Sequence, residues 1–412
     1  MKRVVVTGLG AITPLGNDVK TTWTNMLEGR SGIDLIKAFD TSRHVVKIGG
    51  EVKDFQPETR MDPKMAKRLD RCVLLSVWAT VEAVNNAQID FEKYDRTDIG
   101  VIIGSGIGGL LTWEEEHTKY INYGPGRVSP FLIPMMIPDM TAGYVAIHYG
   151  LKGPNYTTVS ACASGAHAIG TAFREIKHGH ATVVITGGAE APVTPFALAG
   201  FSNMKALSRR NDEPQKASRP FDLDRDGFVI AEGAATLILE ELEFAMKRSA
   251  KIYAEIVGFG ATGDAYHITA PAPDGEGARR SMERAIKEAG CKPEDIEYIN
   301  AHGTSTELND KYEAKAIIDL FGAHARKLVI NSTKSMIGHT LGAAGAIEAM
   351  VGINSIQHSV VHPTINLTNP DPECGGLDFV PGKSKPVNIS YLLSNSLGFG
   401  GHNVTLCFKK FV

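Results

Sequence analysis

The chain has 412 residues and a formal net charge of −3, from 43 Lys+Arg against 46 Asp+Glu. That length exceeds one ordinary core, so two cores or one large composite are expected; the near-balanced charge lacks the excess of base that marks nucleic-acid binding. No run is long and apolar enough to span a bilayer. The cysteines, Cys72, Cys162, Cys291, Cys374 and Cys407, are scattered without a CxxC pair, which fits a reducing cytosol better than a disulfide framework.

"MKRVVV" mimics the start of a signal peptide, but Gly8, Gly10, Thr13 and Pro14 break the apolar run at once, so a buried strand over 3–7 and then a loop are expected. A long helix follows over 62–86. On it Lys64 and Arg68, and Lys67 and Arg71, stand four apart, where like charges cost helix stability. Such a face is either solvated or docks an acidic partner, with Arg127, Lys205, Arg209 and Arg210 as additions. A strand over 98–103 leads into Gly104-Ser-Gly-Ile-Gly-Gly109, which fits GxGxxG. A dinucleotide site needs a second strand ending in an acid about 20 residues on. Helix and loop follow instead, so a tight loop beside a substrate is expected. "SPFLIPMMIPDM" is too apolar for an exposed loop, and its prolines forbid a long helix. A core, a subunit contact or the wall of an apolar pocket would suit it.

A strand over 157–160 hands over to a helix over 162–178, with Cys162 at the junction. The unpaired N–H groups and dipole of the first turn favour a thiolate there, yet a free cysteine is as often a small buried hydrophobe. His178 and His180 lack a third ligand and an HExxH pattern, so a helix C-terminal cap is expected rather than a metal. After a strand over 182–186, Asp222-Leu-Asp-Arg-Asp-Gly227 imitates a calcium loop. Its Glu232 falls one place short of the required position, and a strand rather than a helix follows. A carboxylate-rich turn pairing with Arg219 and Arg225 is expected.

Strands over 236–239 and 253–259 come next, then a helix over 275–289, a strand over 296–301, a helix over 310–321, a strand over 328–332, a helix over 342–358 and strands over 388–394 and 403–408. The alternation predicts α/β layers. The unit of strand, glycine-containing loop and helix around Cys162 recurs at "YINAHGTSTELNDKYEAKAI", with His302 in the cysteine's place. Two related halves are therefore expected, 1–250 and 251–412, firmly packed because no low-complexity linker separates them.

The second half carries three further loops. Ala301-His-Gly-Thr-Ser-Thr306 delivers His302 beside hydroxyls. Thr333-Lys-Ser-Met-Ile-Gly-His339 delivers Lys334 and His339 before a small-residue helix bearing Glu348. Asn395-Ser-Leu-Gly-Phe-Gly-Gly-His-Asn403 holds Phe399 between glycines. One buried histidine is ordinarily structural. Two, each on a Gly/Thr loop after a strand, in a chain that starts a helix on Cys162, point to a functional constellation.

"VSACASGAHAIG", "NAHGTSTELND", "KSMIGHTLGAAGAIE" and "NSLGFGGHN" resemble the β-ketoacyl-acyl carrier protein synthases of the thiolase superfamily, in particular the synthase II branch of bacterial type II fatty acid synthesis. The resemblance covers essentially the whole chain and takes in "RPFDLDRDGFVIAEGA". It implies a thiolase-like α/β fold of five layers, α-β-α-β-α, in a cytoplasmic homodimer. It also implies decarboxylative Claisen condensation of an acyl group on Cys162 with malonyl-acyl carrier protein. Backbone N–H groups of Cys162 and Phe399 would form the oxyanion hole, and His302 and His339 would hold the enolate oxygen. Lys334 and Glu348 would orient the histidines, and Phe399 would gate the acyl pocket. Thr304, Thr306 and Thr269 would bind the phosphopantetheine arm, with Ile107 and Phe201 lining the pocket. Lys64, Lys67, Arg68, Arg71, Arg127, Lys205 and Arg209 would dock the acidic acyl carrier protein.

The resemblance implies no cofactor, the arm arriving on the carrier protein, and no metal, nucleic acid or membrane insertion. His402, where many members carry Thr, and Leu397, often Phe, depart from the family pattern beside the gate. A polyketide ketosynthase shares the catalytic set; a biosynthetic thiolase and a non-catalytic chain-length partner subunit are the remaining alternatives.

Overall fold

A computed structural model describes residues 1–412. Ten strands share one hydrogen-bonded sheet: β1 (Val4–Ile12), β2 (Ile99–Gly104), β3 (Asn155–Tyr156), β4 (Val183–Glu190), β5 (Gly233–Glu241), β6 (Ala254–Gly263), β7 (Tyr298–Asn300), β8 (Val329–Asn331), β9 (Tyr391–Gly398) and β10 (His402–Lys409). Their order is β8-β7-β9-β10-β6-β1-β5-β4-β2-β3. Read outward from the centre, each side follows one scheme: first, fifth, fourth, second, then third strand in chain order. The hydrogen bonding repeats too. On one side β1–β5 and β5–β4 are antiparallel while β4–β2 and β2–β3 are parallel. On the other, β6–β10 and β10–β9 are antiparallel while β9–β7 and β7–β8 are parallel. The two sides join where Val4, Val5 and Val6 pair with Ile256, Glu255 and Ala254.

Five helices set the layers: α1 (Arg71–Ala87), α2 (Ser164–Lys177), α3 (Glu276–Ala289), α4 (Glu307–Phe321) and α5 (Ala344–His358). Helix α1 packs on β1, β5 and β4, and α3 packs on β6 and β10 with α4 beside it. Helices α2 and α5 touch each other and strands of both sides. The stack is therefore α-β-α-β-α, as the resemblance implied. Sequence explains the positions. In α5 every residue from Ala344 to Ile356 is buried, as an all-round apolar helix requires. In α3 only one stripe is buried, Ala278, Ser281, Met282, Ala285 and Ile286, which suits an outer layer.

Four expectations need correction. First, β1 does not stop at residue 7 but runs on through Gly8 and Gly10. These glycines let α1 approach: a Cβ at either would collide with the carbonyl oxygen of Ala83 or Ala79. Second, residues 157–160 form no strand. Their polar groups turn to Ser164 instead, with Ser160 N donating to Ser164 Oγ (2.9 Å) and Thr158 Oγ1 donating to Ser164 O (2.8 Å). Third, the helix expected over 62–86 is broken into Pro63–Ala66 and α1. Asp70 starts α1 by accepting from Cys72 N (2.9 Å), a side-chain cap that ends any continuous helix through it.

Fourth, the repeat is offset. Helices α2 and α5 follow the equivalent strands β3 and β8. Each opens with a 3₁₀ turn, Ala161–Ala163 and Leu341–Ala343, and each turn begins on a non-glycine residue with left-handed φ, Ala161 (50°) and Leu341 (46°). The counterpart of Cys162 is thus Gly342. His302 follows β7, whose counterpart is β2 with its glycine loop. Strand, glycine loop and helix recur at several junctions of such a fold, so the motif alone cannot give the alignment.

Candidate functional site

Cys162 sits on the 3₁₀ turn before α2, at 7% exposure. Ser164 Oγ donates to Ala161 O (2.7 Å) and holds the turn closed. The hairpin loop Phe399–Gly401, between the paired residues Gly398 and His402, reaches this turn because position 398 has no side chain. A Cβ there would lie 2.8 Å from Ser160 O and 3.2 Å from Cys162 N. The backbone N–H groups of Phe399 and Cys162 draw the thiol's pKa down. The helix start had been expected to favour a thiolate. Burial outweighs it: the thiol is pushed up to about 11, against the pull of Lys334 and those two N–H groups.

His339 Nε2 lies 3.1 Å from Cys162 Sγ. Its Nδ1 accepts from Leu341 N (3.3 Å). The His302 ring stands across from it, centroids 5.3 Å apart at 83°, with Nδ1 3.2 Å from Lys334 Nζ. A nitrogen that faces a donor acts as acceptor, so each ring carries its proton on Nε2. Burial, and then Lys334, hold both histidines well below their ordinary value. They are neutral donors, not imidazolium ions. Lys334 also donates to His302 O (2.6 Å) and pairs with Glu348; both side chains are 1% exposed. Burial raises Glu348 above the usual carboxylate range while Lys334 draws it back.

Cys162 Sγ and a ring nitrogen of each histidine lie within 4.8 Å of one another. An ion could bridge that spacing, but Lys334 one ring away opposes a dication. A carbonyl oxygen, which welcomes two N–H donors, fits the same space.

These three residues open onto one cavity of about 560 Å³, which Ile107, Phe201, Lys205, Thr269, Thr304, Thr306, Leu397 and Phe399 also line. Lys334 and Glu348 lie behind it. The remaining basic residues are outside it. Lys64, Lys67, Arg68, Arg127 and Arg209 are exposed, with the Arg68 guanidinium 5.0 Å from the Phe131 ring centroid. Arg71 departs from expectation. The break at Asp70 turns it inward, where it makes two 2.6 Å bonds to Glu232 and cannot present its charge with Lys64 and Lys67.

"SPFLIPMMIPDM" is no core segment either, since Phe131 is 40% and Ile133 58% exposed. The calcium-like turn is an ion-pair hub as expected: Arg219 binds Asp222 (2.9 Å) and Arg225 binds Asp371 (2.6 Å). His178 is the C-terminal cap of α2, and His180 pairs with Glu175 (3.0 Å). Sequence reasoning missed Glu313, a buried carboxylate that accepts from His302 N (2.8 Å) and Gly303 N (2.9 Å). Its place on α4, eleven residues after His302, was the available signal.

The family described as "Beta-ketoacyl synthase, N-terminal domain" matches residues 1–245, and its C-terminal domain matches residues 253–368. The 3-oxoacyl-[acyl-carrier-protein] synthase 2 of Synechocystis sp. is 54% identical over 410 residues, covering 100% of this chain and 98% of that protein. Among solved structures, a β-ketoacyl synthase from Burkholderia phymatum superposes with a TM-score of 0.94 at 37% identity, covering 100% of both chains. A type II polyketide ketosynthase complex with its acyl-carrier protein, bound to a hexaketide, gives 0.92 at 34% identity, again with full coverage. With these matches spanning both halves, the chain belongs to the β-ketoacyl synthase family.

Proposed function

We propose that this chain elongates fatty acyl groups by two carbons, condensing an acyl group carried on Cys162 with malonyl-acyl carrier protein to give 3-oxoacyl-acyl carrier protein. The observation that carries the reading is the convergence of Cys162 Sγ with two neutral imidazoles on one cavity. In the loading step Cys162 sulfur attacks the acyl thioester. The bond to the pantetheine sulfur breaks, and that sulfur ends with the proton Cys162 gives up. A thiolate is both a good nucleophile and a good leaving group. N–H groups of Cys162 and Phe399 hold the tetrahedral oxyanion, an arrangement worth about 3–4 kcal/mol in comparable acyl transfers.

Malonyl-acyl carrier protein follows. Its carbon–carboxylate bond breaks, carbon dioxide leaves, and the electron pair moves onto the thioester oxygen between His302 Nε2–H and His339 Nε2–H. The enolate carbon attacks the acyl-Cys162 carbonyl, the carbon–sulfur bond breaks, and the cysteine thiolate regains a proton from solvent. Thr269, Thr304 and Thr306 hold the phosphopantetheine arm, and Phe399 gates the acyl pocket, with Ile107 and Phe201 on its wall. Phe399 has glycine on both sides for that movement.

No cofactor enters these steps. The reaction runs in the cytoplasm, and no helix here is long and apolar enough to cross a membrane. Lys64, Lys67, Arg68, Arg127, Lys205 and Arg209 dock the acidic carrier protein. The exposed Ile121, Tyr123, Phe131 and Ile133, on two helical segments that pack together, support a homodimer. The chain divides near residue 250, between β5 and β6.

A polyketide ketosynthase is the second reading, since one aligns over the full chain; the higher identity to the fatty acid enzyme favours the first. Thiolase chemistry is disfavoured because Cys407 is fully buried away from a cavity in which Cys162 is the one cysteine. The test is incubation with hexadecanoyl- or shorter acyl-acyl carrier protein and malonyl-acyl carrier protein. A product two carbons longer with release of carbon dioxide supports the reading; carrier-protein substrates left unchanged would overturn it.

A further inference from the structure

Glu190 ends β4 with no exposed surface and no cationic partner, yet it gathers donors from both halves of the molecule. Its Oε1 accepts from Ser105 Oγ (2.9 Å), Ile107 N (3.1 Å) and Gly108 N (3.3 Å). Its Oε2 accepts from Gly106 N (2.6 Å) and from Gly342 N (3.0 Å). The first four donors belong to the glycine loop after β2, which a dinucleotide reading would have given to a phosphate. The fifth lies in the 3₁₀ turn before α5, the structural counterpart of the Cys162 turn.

Both backbones come this close because they lack side chains. A Cβ on Gly106 would lie 2.8 Å from Oε2, and one on Gly342 would collide with it. The two segments so joined carry Ile107 and Leu341, which line the same cavity as Cys162 and pack in one apolar cluster with it.

We infer that Glu190 is a positioning residue for acyl loading: it clamps the Ile107 loop to the Leu341 turn and so sets the wall against which the acyl chain lies on Cys162. This rests on the acyl-transfer reading above. Five donors converge on two oxygens, so an amide in place of the carboxylate turns an NH₂ toward N–H groups and breaks one side of the clamp. Glu190 also places a negative charge near the thiol and raises it. Its loss should therefore make Cys162 more acidic while acyl transfer becomes slower, a combination that general loosening does not produce.

The experiment compares wild type with Glu190→Gln and, as an independent perturbation of the same contact, Gly106→Ala. Three quantities are read: the rate of Cys162 loading from acyl-acyl carrier protein, the rate of malonyl-acyl carrier protein decarboxylation, and the pH profile of Cys162 alkylation. Loading should fall at least tenfold further than decarboxylation in both variants, with the alkylation profile of Glu190→Gln moved to lower pH. Equal losses in the two rates with an unmoved profile, or loading unchanged, would overturn the inference. If Glu190→Gln does not fold, Gly106→Ala decides by the two rates. Wild type that neither loads nor decarboxylates would instead sink the underlying acyl-transfer reading.

Discussion

His339 Nε2 lies 3.1 Å from Cys162 Sγ while its Nδ1 accepts the Leu341 N–H. The ring's tautomer is thereby set by the backbone that also shapes the cysteine's pocket. Lys334 does the same for His302. Both rings are neutral donors, which suits the proposed task of holding a negative oxygen rather than delivering a proton.

Removal of either donor is expected to slow decarboxylation of malonyl-acyl carrier protein by about 10²–10³-fold, the usual loss for one oxyanion donor. His302→Ala and His339→Ala each report this in a carbon dioxide release assay. Cys162→Ala should abolish condensation yet still release carbon dioxide, because both rings remain.

Lys334 and Glu348 form an ion pair buried to 1% exposure. Breaking one partner leaves the other charged and unpaired, at a cost of about 3–5 kcal/mol. Lys334→Met should lower the urea midpoint accordingly, and adding Glu348→Leu should restore much of the stability. The double variant should remain slow in decarboxylation, because His302 loses the contact that sets its tautomer.

The two half-reactions should part company with pH. Cys162 is pushed up to about 11, so below that value its thiolate fraction, and with it alkylation by iodoacetamide, rises about tenfold per pH unit. His302 and His339 lie well below 6.5 and stay neutral from there upward. Neither ring should therefore put a step in decarboxylation by Cys162→Ala between about pH 6.5 and 8, measured as carbon dioxide release at matched ionic strength. Any step there should disappear when Glu348, raised to about 7, is replaced.

Charge on the exposed basic residues should matter to the carrier protein and not to the chemistry. Replacing Lys64, Lys67 and Arg68 by Ala should raise KM for carrier-protein substrates several-fold more than for pantetheine mimics, with the difference shrinking as salt rises. Arg71→Ala should instead lower stability through the buried Glu232. Steady-state kinetics and thermal unfolding separate the two effects.

The catalytic loops were legible because each is a short reactive motif punctuated by glycine after a strand: Cys162, His302, His339 and Phe399 line one cavity. What escaped was set by distant contacts. Arg71 sits in register with Lys67 on paper, but Asp70 accepts from Cys72 N and from Thr112 (2.7 and 3.0 Å), and the helix restarts there. Gly8 and Gly10 read as breakers, yet they serve as bare backbone for α1 to lie on. Glu190 carries no local signal at all. Its importance exists only once the β2 loop and the Gly342 turn have met around it.

The proposed condensation needs Cys162 to carry the acyl chain. Intact-protein mass spectrometry after incubation with an acyl-acyl carrier protein, followed by peptide mapping, tests this directly. One acyl group per chain on the Cys162 peptide, absent in Cys162→Ala, is the predicted result; an acyl adduct elsewhere, or undiminished loading of Cys162→Ala, would contradict it.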